Sequence, residues 1–253
     1  MHISVNSIDS RVFRQTVLDL SDITAGDDLA AMEHDYVAQH NPIYVCCKVP
    51  VENLRVIHAL EDLGFRFVEY QLRMTYHVTN PFDESRYPYR FERVTTEEAL
   101  WPVLEIASSA FTEDRFTNDP AIPRYVSGKR YRMYVIKSFS TEGENVYRLV
   151  RNPTDETVAF RTHRILNSEE AVCLLGAVHR DYQNTPLPFI NEQFEFNALR
   201  ARGISKIHTH ISGRSLGEMN LEMGGVGFRG VTAVAVLRRW YGDSPKDQGP
   251  ANQ

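Results

Sequence analysis

The chain has 253 residues, of which 42% are hydrophobic and 24% are charged, and its formal net charge is −5 at pH 7. This composition is typical of a globular protein and is enough for one large domain or two small ones. Because acidic and basic residues are interleaved and form no basic stripe, we expect no nucleic-acid partner. No apolar run approaches the roughly 18 residues of a membrane span, and the N-terminus lacks the features of a signal peptide. We therefore expect no membrane partner and a cytoplasmic location.

The three cysteines, Cys46, Cys47 and Cys173, lie in apolar or strand-like stretches and do not have the spacing of metal ligands. Cysteines of this kind usually behave as small buried hydrophobic residues. The sequence therefore predicts reduced thiols and no metal site, which also suits the cytoplasm.

Hydrophobic patterning in the first third of the chain predicts helices that alternate with strands. The predicted elements are a helix at residues 29–40, a strand at 43–48, a helix at 51–63 that ends at Gly64, and a half-buried strand at 65–76. The residues of the second helix expected to face inward are Leu54, Ile57, His58 and Leu60.

Residues 77–90 contain two prolines and several turn-forming residues without periodicity, which is typical of a linker. We place a boundary near Asp83, so that residues 1–82 form an N-terminal domain, residues 83–241 a second domain and residues 242–253 a flexible tail. Thr95 is predicted to cap the next helix. The later elements are helices at 97–111 and 122–139, the second interrupted or bent at Gly128, strands at 146–150, 157–165 and 206–211, a short helix at 216–223 and a strand at 228–240.

The segment at residues 172–202 is the one around which the chain is organised. It is predicted to form a buried strand that reaches Gly176, a polar loop and a helix of about four turns. A loop that leads into a helix N-terminus favours an anion, because free amides and the helix dipole both attract negative charge. Pro186 and Pro188 each remove one amide donor from this loop. The segment therefore predicts an anion site with fewer donors than usual.

A short internal repeat links the two predicted domains. Leu-Gly-Phe-Arg at residues 63–66 returns as Val-Gly-Phe-Arg at residues 226–229, each time after a predicted helix and before a predicted strand. The matched setting favours two related halves, of which the first is truncated. In that interpretation the first half supplies scaffold and the second supplies the site.

The order of predicted elements in residues 90–241, with the loop at Gln183, resembles that of the Gcn5-related N-acetyltransferase (GNAT) superfamily. Short stretches over nearly the whole chain also resemble its branch of TDP-fucosamine acetyltransferases and related amino-sugar enzymes. These are residues 8–13, 48–50, 60–65, 71–72, 109–111 and 114–116, with Asp119 and Tyr125. The resemblance implies an α/β (α+β) fold with a mostly antiparallel central sheet flanked by helices, preceded by a truncated GNAT-like N-terminal domain.

In this superfamily the acyl donor is acyl-coenzyme A, a co-substrate and not a permanently bound cofactor. The resemblance implies that its pantetheine arm pairs with a strand edge where two strands separate, and that its pyrophosphate rests on the following loop. The family has two glycines in that loop, and this sequence has Pro186 and Pro188 in their places, so the loop departs from the pattern. The residues implied to contact the donor are Gly176, Ala177, Val178, Gln183, Asn184, Thr185, Leu187, Ser215 and Asn220, with the amides of Phe189 and Ile190 as further donors.

The family usually protonates the leaving thiolate with a tyrosine, and the resemblance places that position near Glu222 or the next residue, where no tyrosine is present. The remaining chemistry needs an amide donor for the oxyanion, for which Val178 and His179 are candidates, and a base for the amine proton. We predict His210 as that base, with His208 and His179 behind it. Structural or surface roles for these histidines are the alternative.

The acceptor would be a nucleotide-linked sugar bound near the helix at residues 122–139. A guanidinium group binds phosphate oxygens in a bidentate way, and an aromatic ring can stack on a base. The alternative is a helix that packs its aromatic face and exposes its charged face. The residues implied are Arg115, Arg130 and Arg132 for the diphosphate, and Tyr125, Tyr131 and Tyr134 for the thymine or the sugar.

The sequence thus predicts an N-acyltransferase that moves an acyl group from acyl-CoA to the amine of a dTDP-linked deoxyamino sugar, by direct attack on the thioester, in surface-polysaccharide (O-antigen) biosynthesis. One alternative is a non-catalytic GNAT-fold protein with a binding or regulatory role. Another is an acyltransferase that uses an acyl carrier protein. The apolar last strand, at residues 231–237, also predicts cover by a second copy and therefore a homodimer.

Overall fold

The computed structural model describes residues 1–113 and 115–242. Within these ranges the chain is a mixed α/β structure in which one large sheet is flanked by helices, which confirms the predicted fold class. No helix in the described ranges has both the length and the apolar composition needed to cross a membrane. The tail predicted at residues 242–253 lies, apart from Gly242, outside the described residues.

The sheet of the described chain has ten strands in the order β1-β2-β3-β10-β4-β9-β8-β7-β6-β5. The pairs β2–β3 and β8–β9 are parallel, and every other neighbouring pair is antiparallel. The strands are β1 (His2–Val5), β2 (Val17–Ser21), β3 (Tyr44–Pro50), β4 (Arg66–His77), β5 (Tyr89–Arg93), β6 (Glu144–Arg151), β7 (Glu156–Ile165), β8 (Glu170–Val178), β9 (Lys206–Ser212) and β10 (Arg229–Trp240).

Helices cover both faces of the sheet. They are α1 (Ser7–Phe13), α2 (Leu29–His40), α3 (Leu54–Asp62), α4 (Glu97–Ala110), α5 (Arg115–Asn118), α6 (Arg124–Ser140), α7 (Leu187–Arg200) and α8 (Leu216–Asn220), with 3₁₀ turns at Glu84–Arg86 and Arg180–Tyr182 and a π-helix at Leu221–Val226. Helix α2 joins the parallel strands β2 and β3, and α7 joins β8 and β9. A helix is needed because a connection between parallel strands must return from one end of the sheet to the other.

The internal repeat predicted from the sequence has the same structural setting twice. Gly64 and Gly227 both have left-handed backbone conformations, with φ of 86° and 97°, which glycine adopts without strain. The phenylalanines that follow, Phe65 and Phe228, are both buried. Each motif leads into β4 or β10, and these two strands pair with each other. The division at residues 82 and 83 stays a prediction.

The last strand, β10, lies in the middle of the sheet. It pairs with β3 on one edge and with β4 on the other. Val236 and Leu237 are completely buried, and Leu237 packs with the residues under α2 and α3. The homodimer was expected because the apolar strand at residues 231–237 would otherwise be exposed. In the structure, β3 and β4 pair with both edges of this strand, so a second copy is not needed to cover it.

Three local predictions about helices were wrong. In α3, which begins at Leu54 and not at residue 51, Leu60 is buried and Ile57 packs against the core as predicted. Leu54, however, is 56% exposed and His58 is also exposed, and Val56 is buried instead. Thr96, and not Thr95, caps α4, since its hydroxyl accepts a hydrogen bond from the amide of Ala99.

Helix α6 is continuous through Gly128, where the sequence predicted an interruption or a bend. A Cβ atom at this position would lie 2.3 Å from the carbonyl oxygen of Ser108 on α4. Gly128 therefore permits close packing of two helices and does not break one.

The predicted burial of the three cysteines is confirmed. Cys46, Cys47 and Cys173 are all buried and none forms a disulfide. Burial raises the pKa of each thiol, so all three are protonated at neutral pH.

Candidate functional site

Strands β8 and β9 form a wedge. They pair only where Glu170–Val172 meets Lys206–His208, and beyond this point the structure records no pairing between them. On the other edge of β8, the amide of His179 donates to Val158 O on β7 at 2.7 Å. Because alternate residues of an antiparallel strand bond to the same neighbour, Gly176 and Val178 direct their N–H and C=O groups toward the wedge. The His179 amide is therefore engaged, which leaves Val178 as the better of the two predicted oxyanion donors.

A buried charged cluster lies on the α7 face of this wedge. A Cβ atom on Gly176 would come within 2.6 Å of the Arg161 side chain, so Arg161 lies directly over this glycine. Its guanidinium group is 3.3 Å from Glu192 and 3.6 Å from Glu195, both on α7 and both buried. Cys173 Sγ donates to Glu195 at 3.3 Å. One buried cation thus faces several buried carboxyl groups beside the strand edge.

Glu222 completes the cluster from the π-helix. Burial, followed by the negative charge of Glu192, raises the pKa of Glu222 to about 10. The Oε2 atoms of Glu192 and Glu222 are both buried, and the two side chains lie within hydrogen-bonding distance of each other. If both carboxyl groups were ionised, neither Oε2 atom would have a hydrogen-bond donor. One shared proton satisfies both oxygens, so the pair holds a proton at neutral pH. π-Helices are rare and are frequently found at functional sites.

Glu222 is one of the residues predicted from the sequence, whereas Arg161, Glu192 and Glu195 are not. A signal was present: Arg161 follows the apolar residues 158–160 in its strand, and Glu192 and Glu195 are three residues apart on a helix between Ile190 and Phe196. Carboxyl groups on the apolar face of a helix need a buried partner. Which cation provides it depends on the packing of α7 against β7.

The loop between β8 and α7 uses much of its own donor capacity. The amides of Thr185, Leu187 and Ile190 donate to Tyr182 O, the Thr185 hydroxyl and Pro186 O. Of the five amides considered for pyrophosphate, only Asn184 and Phe189 have no acceptor within the described part of the chain. The Gln183 side chain donates to Ala110 O on α4, at 3.4 Å. The predicted donor residues of this loop thus lie together, but few are available to an anion.

The other residues implied for the donor belong to β8 or to the segment that follows β9. Ala177 occurs on β8 between Gly176 and Val178, and its side chain packs toward α4 and α6. Ser215 precedes α8, and Asn220 ends it with an exposed side chain. Both belong to the segment that follows β9 in the chain.

The predicted acceptor residues do not form an exposed phosphate site. Arg130 is buried and bonds to Asp9 at 2.7 Å and to the hydroxyl of Tyr134 at 3.1 Å. Arg115 is also buried, and it donates to Cys46 Sγ. Tyr125 is 69% exposed. Arg115 therefore holds α5 against β3 and Arg130 holds α6 against α1, whereas Tyr125 is exposed to solvent.

A groove of about 690 Å³ lies on the other face of the sheet, where β4, β9 and β8 meet. His210, the predicted base, is one of its lining residues. Its Nε2 accepts a hydrogen bond from Arg73 Nε at 3.3 Å. Desolvation in the groove, together with the charges of Lys48, Arg73 and His208, lowers the pKa of His210 to about 4. His210 is therefore neutral at pH 7 and a weak base.

His208 and His179 do not form a relay behind His210. His208 lies between Thr75 and Glu170, at 3.2 Å from each. His179 lies at the opposite end of β8, where its Nδ1 accepts from the amide of Asp181. Within the described residues no group of three or more metal-binding side chains is arranged to hold an ion.

The fold contains a parallel strand pair that separates next to the helix joining the two strands. Known structures with a similar overall fold were found. The GCN5-related N-acetyltransferase from Sphaerobacter thermophilus is similar with a TM-score of 0.65 and 12% identity, over 94% of this chain and 76% of that one. The corresponding enzyme from Kribbella flavida gives 0.61 and 10%, over 92% and 84%.

A third similar structure is a tandem GNAT protein from the clavulanic acid biosynthesis pathway, with a TM-score of 0.59 and 12% identity over 90% of this chain and 76% of that one. No protein-family model and no curated protein sequence matches the chain. The chain thus has the GNAT fold.

Proposed function

We propose that this protein is an N-acyltransferase, which moves an acyl group from a thioester to an amine. The observation that carries the proposal is the unpaired backbone edge of Gly176 and Val178 in the wedge, linked through Arg161 and Glu192 to the proton held on Glu222. The fold shared with N-acetyltransferases supports it.

In the proposed reaction the amine nitrogen bonds to the thioester carbonyl carbon and the carbon–sulfur bond breaks. The amide of Val178, which points into the wedge, would donate to the oxygen that gains charge. The departing thiolate would take the proton of Glu222, which burial keeps protonated at neutral pH. The amine loses one proton and the thiol gains one, so the reaction is balanced and Glu222 regains its proton from the amine through solvent.

His210 remains the proposed base for the amine proton. Its neutral form is the one that a base requires, but Arg73 engages Nε2 and the low pKa makes the ring a weak acceptor. If His210 is the base, His210→Asn should lower kcat by about 10² or more. If it only lines the groove, the same change should raise the KM of the acceptor and leave kcat nearly unchanged.

The proposed donor is acyl-coenzyme A, held by the β8 edge, the β8–α7 loop and the start of α8. The internal hydrogen bonds of the loop favour one alternative, a donor that needs no pyrophosphate contacts. An acyl carrier protein presents such a donor, since its pantetheine arm carries no free nucleotide.

For the acceptor, the dTDP-linked amino sugar of surface-polysaccharide synthesis stays a prediction from the resemblance. Arg115 and Arg130 are engaged in internal contacts, so an anionic sugar nucleotide would have to bind elsewhere.

Calorimetric titration with acetyl-coenzyme A, a longer acyl-coenzyme A and the corresponding acyl-pantetheine tests the proposal. The native protein should bind at least one of them. Gly176→Ala should weaken binding about tenfold or more, because its methyl group displaces Arg161 and crowds the wedge. Gly230→Ala is the matched control, since a Cβ atom at this strand glycine meets nothing within 4 Å.

The relative affinities separate the candidate functions. Tighter binding of acyl-coenzyme A than of acyl-pantetheine would show that the loop contributes to donor binding. Equal affinities would favour the carrier protein. Absence of binding by all three, with a folded protein, would contradict the enzyme proposal and favour the non-catalytic alternative.

A further inference from the structure

The groove on the sheet face is lined by three cationic side chains and three histidines. Its polar residues come from β4, β9 and β10, and its apolar residues are Leu166 and Val172. The basic residues are Arg73, His77, Lys206, His208, His210 and Arg229.

Two of these basic residues share one carboxylate, that of Glu170. Glu170 bonds to Lys206 at 3.0 Å and to His208 at 3.2 Å, so these two groups are already paired. Arg73 and Arg229 form no ion pair with any carboxylate in the described part of the chain, and both are exposed to the groove. Two arginines therefore remain available to a ligand.

The geometry of Arg73 leaves the useful part of its side chain free. Its Nε donates to His210 Nε2, which fixes the orientation of the guanidinium plane. The two terminal nitrogens have no acceptor among the described residues, and these are the atoms with which arginine forms paired hydrogen bonds to carboxylate or phosphate. His210 thus orients Arg73 for an anion.

The groove reaches the wedge. Val172 and His208 are the last residues paired between β8 and β9, and both line the groove. His210 lies two residues further along β9, where the strands have separated. The groove therefore spans the point where the two strands separate, so a molecule whose anionic end lies between Arg73 and Arg229 can reach the open side of the wedge.

We propose that this groove binds the anionic part of the acceptor, so that the substrate is an amine that also carries a phosphate or carboxylate group. The inference rests on the proposed N-acyltransferase function for the identity of the amine. Anion binding by the groove itself does not depend on that function.

The first test is binding of inorganic pyrophosphate, measured by calorimetry without any donor. Native protein should bind it, and Arg73→Gln and Arg229→Gln should each weaken binding about tenfold or more, the effect expected when one charge-assisted contact is lost. Arg66→Gln is the matched control, because Arg66 is an exposed residue at the other end of β4. Its affinity should equal that of the native protein. No binding, or equal affinity in all three variants, would overturn the proposal.

The second test uses transfer assays with matched amines: glucosamine 6-phosphate against glucosamine, and a free amino acid against its amide. The anionic member of at least one pair should have a kcat/KM about tenfold higher, and Arg73→Gln should remove that preference through KM. The sugar pair reports a phosphate and the amino acid pair a carboxylate. Transfer with no preference in either pair would refute the inference while supporting the enzyme, whereas pyrophosphate binding without any transfer would refute the enzyme and leave the anion site intact.

Discussion

The proton held by the Glu192–Glu222 pair makes a prediction that needs no substrate. Glu222→Gln replaces the protonated carboxyl with an amide of the same shape, whose N–H group can donate to Glu192 as the carboxyl proton does. The substitution removes one titrating group and keeps the hydrogen bond. It should therefore change how stability depends on pH more than it changes the fold.

The sign follows from proton binding. The folded pKa of Glu222, about 10, lies above the ordinary value of 4.5, so folded native protein keeps a proton that the unfolded chain releases. Stability of the native protein then falls as pH rises through this window, by about 1.4 kcal/mol per pH unit for one proton. The variant lacks this slope, so between pH 6 and pH 8 it should gain roughly 3 kcal/mol relative to the native protein.

Urea denaturation at several pH values between 6 and 8, with unchanged m-values, measures this difference. Glu142→Gln serves as the control, because Glu142 is an exposed residue in a turn, and its profile should run parallel to that of the native protein. Glu192→Gln should also flatten the profile, since the proton belongs to the pair. Parallel profiles for native protein and Glu222→Gln would refute the reasoning and mean that Glu222 is ionised at neutral pH.

Two further substitutions test buried contacts made by α6. Gly128→Ala should destabilise the protein by roughly 1–3 kcal/mol in urea denaturation, because its methyl group collides with the facing helix, whereas Gly217→Ala, which meets nothing within 4 Å, should have little effect. Asp9→Asn should cost roughly 3–5 kcal/mol, since it leaves the Arg130 charge buried without its carboxylate. Asp83→Asn, in an exposed ion pair, should cost less than about 1 kcal/mol, and equal losses for both aspartates would contradict this account.

Local signals in the sequence predicted most elements of the fold. The apolar run before Gly176 and the 3.6-residue spacing after Pro188 correctly indicated β8 and α7, because both patterns depend only on which face of an element is buried. The structural separation of β8 and β9 was expected from the order of elements and not from any residue between them. Element ends were less certain, as the start of α3 illustrates.

Long-range contacts could not be predicted in this way. No local pattern places β10 between β3 and β4, because the order of strands depends on contacts between residues that are distant in the sequence. Likewise, an arginine in a helix has the same sequence signature whether it faces solvent or a buried carboxylate. Arg130 was assigned to a phosphate because its partner, Asp9, lies 121 residues away in the chain.

Because β10 lies in the middle of the sheet, the sheet cannot be completed until this strand has been synthesised. Residues 229–240 are synthesised after every other strand of the described sheet, yet they fill the space between two strands made much earlier. Until then β3 and β4 each have an unpaired edge, and the core under α3 lacks Leu237. A nascent or C-terminally truncated chain therefore presents two strand edges to its neighbours, which favours aggregation. Loss of the last strand should reduce the yield of soluble protein before any question of activity arises.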